Sequence, residues 1–266
     1  MSGRNTIHDV LQLYADDTPI AMVTAYDFTL ARLVDKADID IVLVGDSLGN
    51  VIQGHDNTVP VEVDDIIYHT RAVVRGTTTA HIVADLPFMS YQASPDDGLR
   101  NAGKLLKKGR AQAVKLEGGE RLAPMVDRMT DAGIPVVGHL GLTPQSVHAF
   151  GGYRVQGRGD EAADQLIADA RALEDAGAYM LVLEMVPAAL ARRVTDELSI
   201  PTIGIGAGDA TSGQVLVLQD LLGMNTDFSP RFVKRFAELE STIVDALERY
   251  GDEVRQRAFP DDDHAY

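Results

Sequence analysis

Eight short runs rich in Val, Ile and Leu recur along the chain, at residues 20–25, 39–45, 81–86, 113–116, 134–139, 179–184, 201–205 and 214–218. Apolar runs of this length, bounded by turn residues, read as strands buried on both faces, which is what a parallel sheet covered by helices requires. Between them, residues 28–36, 63–75, 95–108, 121–132, 161–176 and 188–198 carry helical periodicity or capping signals. Ser94 before Pro95 reads as an N-cap followed by a first-turn proline, and Gly109, Gly133 and Gly177 stand where left-handed C-caps end helices. Eight is the number of parallel strands that closes a (β/α)8 barrel, the TIM-barrel fold of about 250 residues, so 266 residues suit one such domain. The connection after the seventh run is too short to assign. Residues 230–250 are expected to supply the last barrel helix and residues 6–14 an extra helix at the N-terminus. The acidic tail from about Phe259 is expected to be solvated or held by another subunit.

Composition narrows the chemistry. With no cysteine, disulfides, thiolate metal sites and a cysteine nucleophile are excluded, so any metal must sit on oxygen or histidine. Forty Asp plus Glu against 24 Lys plus Arg leave a net charge of −16, a surface that repels nucleic acid. The charge fits ordinary acidic solubility, and it also fits a halophilic surface whose self-repulsion concentrated salt screens; salt adaptation is the expectation. No stretch approaches the roughly 18 apolar residues that cross a bilayer, and MSGRNTIHDV lacks the basic-then-apolar pattern of an export signal. A cytoplasmic enzyme without nucleic-acid or membrane partners is expected.

In a barrel the catalytic groups come from the C-terminal ends of several strands. Here those ends carry Asp46 and Ser47, Asp85, Lys115 and Glu117, His139, and Glu184. Two long connections, 48–62 and 142–160, leave from the same rim. Asp46 (VLVGDS) and Asp85 (IVADLP) end adjacent strands and together suit a hard divalent cation, Mg2+ first; each alone also fits a turn or a helix cap. Lys115 and Glu117 alternate around Leu116, so both can face the barrel mouth, the lysine neutralising a substrate carboxylate or enolate oxygen or pairing with Glu117. His139 could polarise a carbonyl as a neutral donor, orient substrate or ligate metal. Glu184 follows an apolar strand, where desolvation would favour a general base, although capping or core pairing also fits. The glycines at 204, 206 and 208 lack the spacing and position of a dinucleotide loop and fit close approach to a ligand or a neighbouring helix.

Seven segments, VTAYD (23–27), LVGDSLG (43–49), ADLPFM (84–89), VKLEGG (114–119), GHLGLTPQSV (138–147), FGGYRVQGRG (150–159) and IGIGAG (203–208), closely resemble the ketopantoate hydroxymethyltransferase family, in family order and over almost the whole chain. Departures fall in the linking helices, the acidic surface and the segment after about Gly223. The resemblance implies that Asp46 and Asp85 bind Mg2+, with Glu117 in the same cluster directly or through water. It implies that Ser47 and Lys115 bind a 2-oxo acid, that Glu184 is the catalytic base, and that His139 belongs to the site. It further implies 5,10-methylenetetrahydrofolate as co-substrate, 3-methyl-2-oxobutanoate as acceptor, 2-dehydropantoate for coenzyme A synthesis as product, and a homo-oligomer built as a decamer. Two other readings share the barrel: a Mg2+-dependent 2-oxo acid lyase or mutase, which needs no folate, and a non-catalytic 2-oxo acid sensor, which turns nothing over.

Overall fold

The computed structural model describes residues 3–227 and 229–266. They form two compact units, Met1–Val217 and Leu218–Tyr266. In the first, eight strands close a barrel in sequence order: β1 (Ile20–Thr24), β2 (Ile41–Val44), β3 (His81–Asp85), β4 (Ala113–Glu117), β5 (Val136–Gly141), β6 (Met180–Glu184), β7 (Thr202–Ile205) and β8 (Gly213–Leu216). Every pairing is parallel, including the closing pair β1–β8. The eight expected strands are all present.

Helices α1 (Ile7–Ala15), α2 (Phe28–Lys36), α3 (Leu48–Val51), α4 (Val63–Gly76), α5 (Pro95–Lys104), α6 (Ala123–Asp131), α7 (Val147–Phe150), α8 (Asp160–Asp175) and α9 (Ala188–Glu197) fill the connections of this unit. Local chemistry starts them. Asp27 caps α2 by accepting from the Leu30 amide at 2.9 Å, and Ser94 caps α5 ahead of Pro95 by accepting from the Asp97 amide at 3.1 Å. Each cap satisfies an amide that the first helical turn leaves without a partner. Residues 206–212, between β7 and β8, contain no helix.

One helix end departs from expectation. After α5 the chain continues as a π-helical turn, Leu105–Gly109, so the left-handed cap falls one residue later, on Arg110 with φ 68°. Gly109 is buried inside that turn instead, with room for a Cβ only 3.5 Å from Thr70 of α4. Gly133 and Gly177 do take the positive φ expected of them, 78° and 92°.

Inside the barrel, Ile20, Met22, Ile41, Leu43, Val83, Ala113, Val137, Val182, Ile203 and Val215 form one buried cluster, and Val10 of α1 joins it. The expected N-terminal helix therefore packs onto the barrel's own core. Alternation along each strand decides what else points inward. With Val83, Ala113, Val137 and Val182 inside, Asp85, Lys115, Glu117, His139 and Glu184 are inward-facing too, one or two pleats closer to the C-terminal rim.

The second unit contains α10 (Leu218–Leu221), α11 (Leu239–Arg255) and a 3-10 turn at Asp262–His264. The helix expected over 230–250 starts only at Leu239 and runs on to Arg255. The reason is visible in the backbone: the amides of Phe236, Leu239 and Glu240 donate to the carbonyls of Leu221, Leu222 and Gly223, which holds the preceding segment out of helix. Ile243, Val244, Leu247, Tyr250 and Val254 of α11 are exposed in this chain, as is the tail from Phe259. Among the described residues no helix is long and apolar enough to cross a membrane.

Candidate active site

Strand register brings the polar rim together. Asp85 of β3 lies beside Lys115 of β4, Glu117 of β4 beside His139 of β5, and Glu184 of β6 beside Gly141 of β5. Asp46 follows β2 by one turn residue, and its amide donates to Asp85 Oδ2 at 3.0 Å. That approach depends on Gly45, where a Cβ would stand 3.3 Å from the same oxygen and 2.9 Å from Ser47 Oγ. Ser47 Oγ is 2.7 Å from the hydroxyl of Tyr26, a fully buried residue following β1.

Five of the ionisable side chains are almost wholly enclosed: Asp46, Asp85, Lys115, Glu117 and His139 are between 2% and 6% exposed. Lys115 Nζ lies 3.1 Å from Asp85 Oδ1, so the lysine's partner is Asp85, not Glu117. Glu117 Oε1 faces His139 Nδ1 at 3.3 Å, while His139 Nε2 is 3.2 Å from Glu184 Oε2. Burial and the charge of Lys115 oppose protonation of His139, but Glu117 and Glu184 outweigh them and lift it to about 9. The imidazole thus sits between two carboxylates that favour its protonated form. Lys115 Nζ also lies 3.2 Å from Nδ1.

The carboxylates differ in kind. Burial pushes Glu117 up, but the hydrogen bond and charge of His139, with Lys115 behind, hold it below its ordinary range. Asp46 is driven well above the usual carboxylate range by burial and then by the charges of Glu117 and Asp85. Asp85 is raised by burial in spite of Lys115. Glu184 is the most accessible of the group, with 16% of its side chain exposed, and its inner neighbour is His139 rather than an apolar wall.

These residues fit a hard divalent cation. The available donors are all oxygen, and the carboxylates of Asp46, Asp85 and Glu117 are buried together, Asp46 and Asp85 joined through the Asp46 amide and Asp46 and Glu117 through Gln145. Among the described residues, however, no group of three His, Asp or Glu side chains is gathered as a ligand set. Glu117 has one oxygen on His139 and the other accepting from the Gln145 amide at 3.0 Å, which leaves it better placed to reach a cation through water than directly.

Sequence reasoning passed over three residues that shape the site. Tyr26 holds Ser47; Tyr91 bonds the backbone of Glu117; and Gln145 donates to Asp46 Oδ2 at 2.9 Å. All three lie in or near segments quoted above, but a tyrosine and an amide in a loop carry no charge signal. The glycine-rich stretch at 204–208 does serve close approach: at Gly208, with φ 84°, a Cβ would stand 2.5 Å from that of Ala188 on α9.

The sequence pattern of the ketopantoate hydroxymethyltransferase family matches residues 4–262. A Prosthecochloris aestuarii protein named 3-methyl-2-oxobutanoate hydroxymethyltransferase is 53% identical over 264 residues, covering 98% of this chain and 94% of its own. A Salinibacter ruber protein of the same name is 53% identical over 263 residues, covering 99% of each. In fold alone, the chain is similar to phosphonopyruvate hydrolase solved with oxalate and Mg2+, at TM-score 0.64 and 11% identity over 98% of this chain and 93% of that one. It is likewise similar to 2,3-dimethylmalate lyase, a member of the PEP mutase/isocitrate lyase superfamily, at TM-score 0.61 and 15% identity over 98% and 91%. With the family pattern matching residues 4–262 and full-length relatives more than half identical, the chain belongs to the ketopantoate hydroxymethyltransferase family.

Proposed function

We propose that this enzyme transfers a one-carbon unit from 5,10-methylenetetrahydrofolate to 3-methyl-2-oxobutanoate, forming 2-dehydropantoate for coenzyme A synthesis. The observation that carries the reading is the meeting of Asp46, Asp85, Lys115, Glu117, His139 and Glu184 at one rim of the barrel. Asp46 and Asp85 would hold Mg2+, with Glu117 reaching it through water or directly. When bound, such an ion supplies Lewis-acid stabilisation of the charge that develops on the keto oxygen.

The remaining work falls to side chains. Lys115 and Ser47 orient the 2-oxo acid, the lysine offsetting its negative charge. Glu184, partly open to solvent, takes the proton from C3, and His139 holds Glu184 Oε2 in place while Glu117 fixes the other side of the ring. The folate's methylene carbon leaves N10 as the N5 iminium, water adds to it, and the carbon departs from N5 at the formaldehyde level as tetrahydrofolate is released; the C3 carbanion bonds to that carbon, and its oxygen takes a proton to give the hydroxymethyl group.

Proton removal is separable from transfer. In heavy water with Mg2+ and 3-methyl-2-oxobutanoate, the native enzyme should exchange its C3 hydrogen. Glu184→Gln should bind the 2-oxo acid with near-native affinity yet lose exchange and product together, by about 100-fold to 10,000-fold. Native exchange by this variant would remove Glu184 as the base. The lyase or mutase reading shares the barrel, and consumption of the 2-oxo acid without folate would favour it. The enzyme is further read as a cytoplasmic homo-oligomer, a decamer, with a surface adapted to salt.

A further inference from the structure

Gln145 lies in the 3-10 turn Pro144–Ser146, at the start of the long connection after β5, and is 4% exposed. Its side-chain amide has two hydrogens and two acceptor sites, and all four are used. Nε2 donates to Asp46 Oδ2 and to the Leu86 carbonyl, each at 2.9 Å. Oε1 accepts from the Tyr91 hydroxyl at 2.8 Å and from Gln92 Nε2 at 3.0 Å. The backbone amide of the same residue donates to Glu117 Oε2 at 3.0 Å.

The amide has one possible orientation. The Leu86 carbonyl only accepts, so the NH2 group must face it and Asp46. At the other end, the Tyr91 hydroxyl takes the Glu117 amide hydrogen at 3.0 Å, and its own single hydrogen is left for an acceptor, of which Gln145 Oε1 at 2.8 Å is nearer than the Glu117 carbonyl at 3.0 Å. One loop residue is thus fastened to the ends of β2, β3 and β4 at once. No charge is added to a cluster already rich in carboxylates, which a glutamate at this position would do.

We propose that Gln145, locked by Tyr91, is a positioning residue for the cation site: by occupying Asp46 Oδ2 it fixes the Asp46 carboxylate beside Asp85 and leaves Asp46 Oδ1 for the cation. The proposal rests on the reading of Asp46 and Asp85 as metal ligands. It also ties the 142–160 connection to the ion, so that the loop's anchorage and the site's affinity are one property. Partners of this kind around metal ligands commonly change affinity by about 10-fold to 100-fold when removed.

The test is a titration of the full chain with Mn2+ alone, an ion suited to oxygen ligands, followed by the EPR signal of the unbound ion. Gln145→Met keeps the volume and loses every side-chain hydrogen bond. It is expected to weaken Mn2+ binding about 10-fold to 100-fold. Tyr91→Phe should weaken binding in the native background and add nothing in the Gln145→Met background, since the tyrosine acts through the amide. A merely structural tyrosine would lower affinity by the same factor in both, which would overturn the proposal. Native affinity in Gln145→Met would overturn it as well. If that variant does not fold, Gln145→Asn, one methylene short, is read in the same way. A native chain that takes up no Mn2+ overturns the metal reading and this proposal with it, whereas a native chain that binds beside a variant that binds equally well overturns the proposal alone.

Discussion

His81 begins β3 at the end of the barrel away from the chemistry, fully buried, with Nδ1 3.1 Å from the Asn5 carbonyl and Nε2 2.9 Å from the Tyr179 hydroxyl. Burial lowers its pKa from 6.5 to about 4; the Asn5 carbonyl resists this, Arg4 adds to it and Asp9 opposes it. Between these values the unfolded chain binds a proton that the folded one refuses, so the contribution is complete above about pH 6.5 and is lost as the pH falls towards 4. The loss over that window is on the order of 3 kcal/mol. Urea unfolding at pH 7 and pH 4.5 should show His81→Gln losing less stability than the native chain across the interval; an equal loss would place the sensitivity elsewhere. At the other end of the strands, Asp46→Asn or Asp85→Asn should weaken cation and 2-oxo acid binding together, measured by calorimetry, and unchanged affinity for both would take that aspartate out of the site. Asp46, Asp85, Lys115, Glu117, His139 and Glu184 were legible in the sequence because charged residues interrupt apolar strand ends. The placing of His139 between two carboxylates was not, because its two partners come from β4 and β6 and only the barrel's register makes them neighbours. Gln145 and Tyr91 were hidden for a related reason: their importance lies in bonds to residues distant in sequence.

At the scale of elements, side-chain caps made several helix boundaries readable. Asp27 and Ser94 announce α2 and α5 through a side chain at a fixed offset, and α2 spans 28–36 as its pattern requires. The π-helical turn at Leu105–Gly109 and the delayed start of α11 depend on backbone hydrogen bonds that leave no pattern in the side chains. The end of β5 is the tightest junction between an element and the site. Gly141 has φ 90°, and a Cβ there would stand 2.2 Å from the carbonyl oxygen of Glu184. Gly141→Ala therefore combines a disfavoured backbone conformation with a clash that only movement of β6 relieves. Thermal unfolding should show a loss on the order of 2–3 kcal/mol. If Glu184 is the base, C3 exchange should fall as well, and a variant with native exchange would show that the rim tolerates the shift.

On the scale of the molecule, a net charge of −16 makes self-repulsion the main long-range force on the surface. If the surface is adapted to salt, activity and assembly should both rise through a series to molar salt; full activity and an unchanged melting temperature in dilute buffer would leave ordinary solubility as the account. Light scattering in the same series tests the decamer, and a stable, active monomer would refute it. Strand β3 joins two ends that have little to say to each other. His81 and Asp85 are four residues apart, about 13 Å along an extended strand. Substitutions separated by more than about 7–10 Å without shared partners add rather than interact. A lineage carrying this fold can accordingly change the climate its proteins endure by altering one end, while the reaction it inherited at the other end stays untouched.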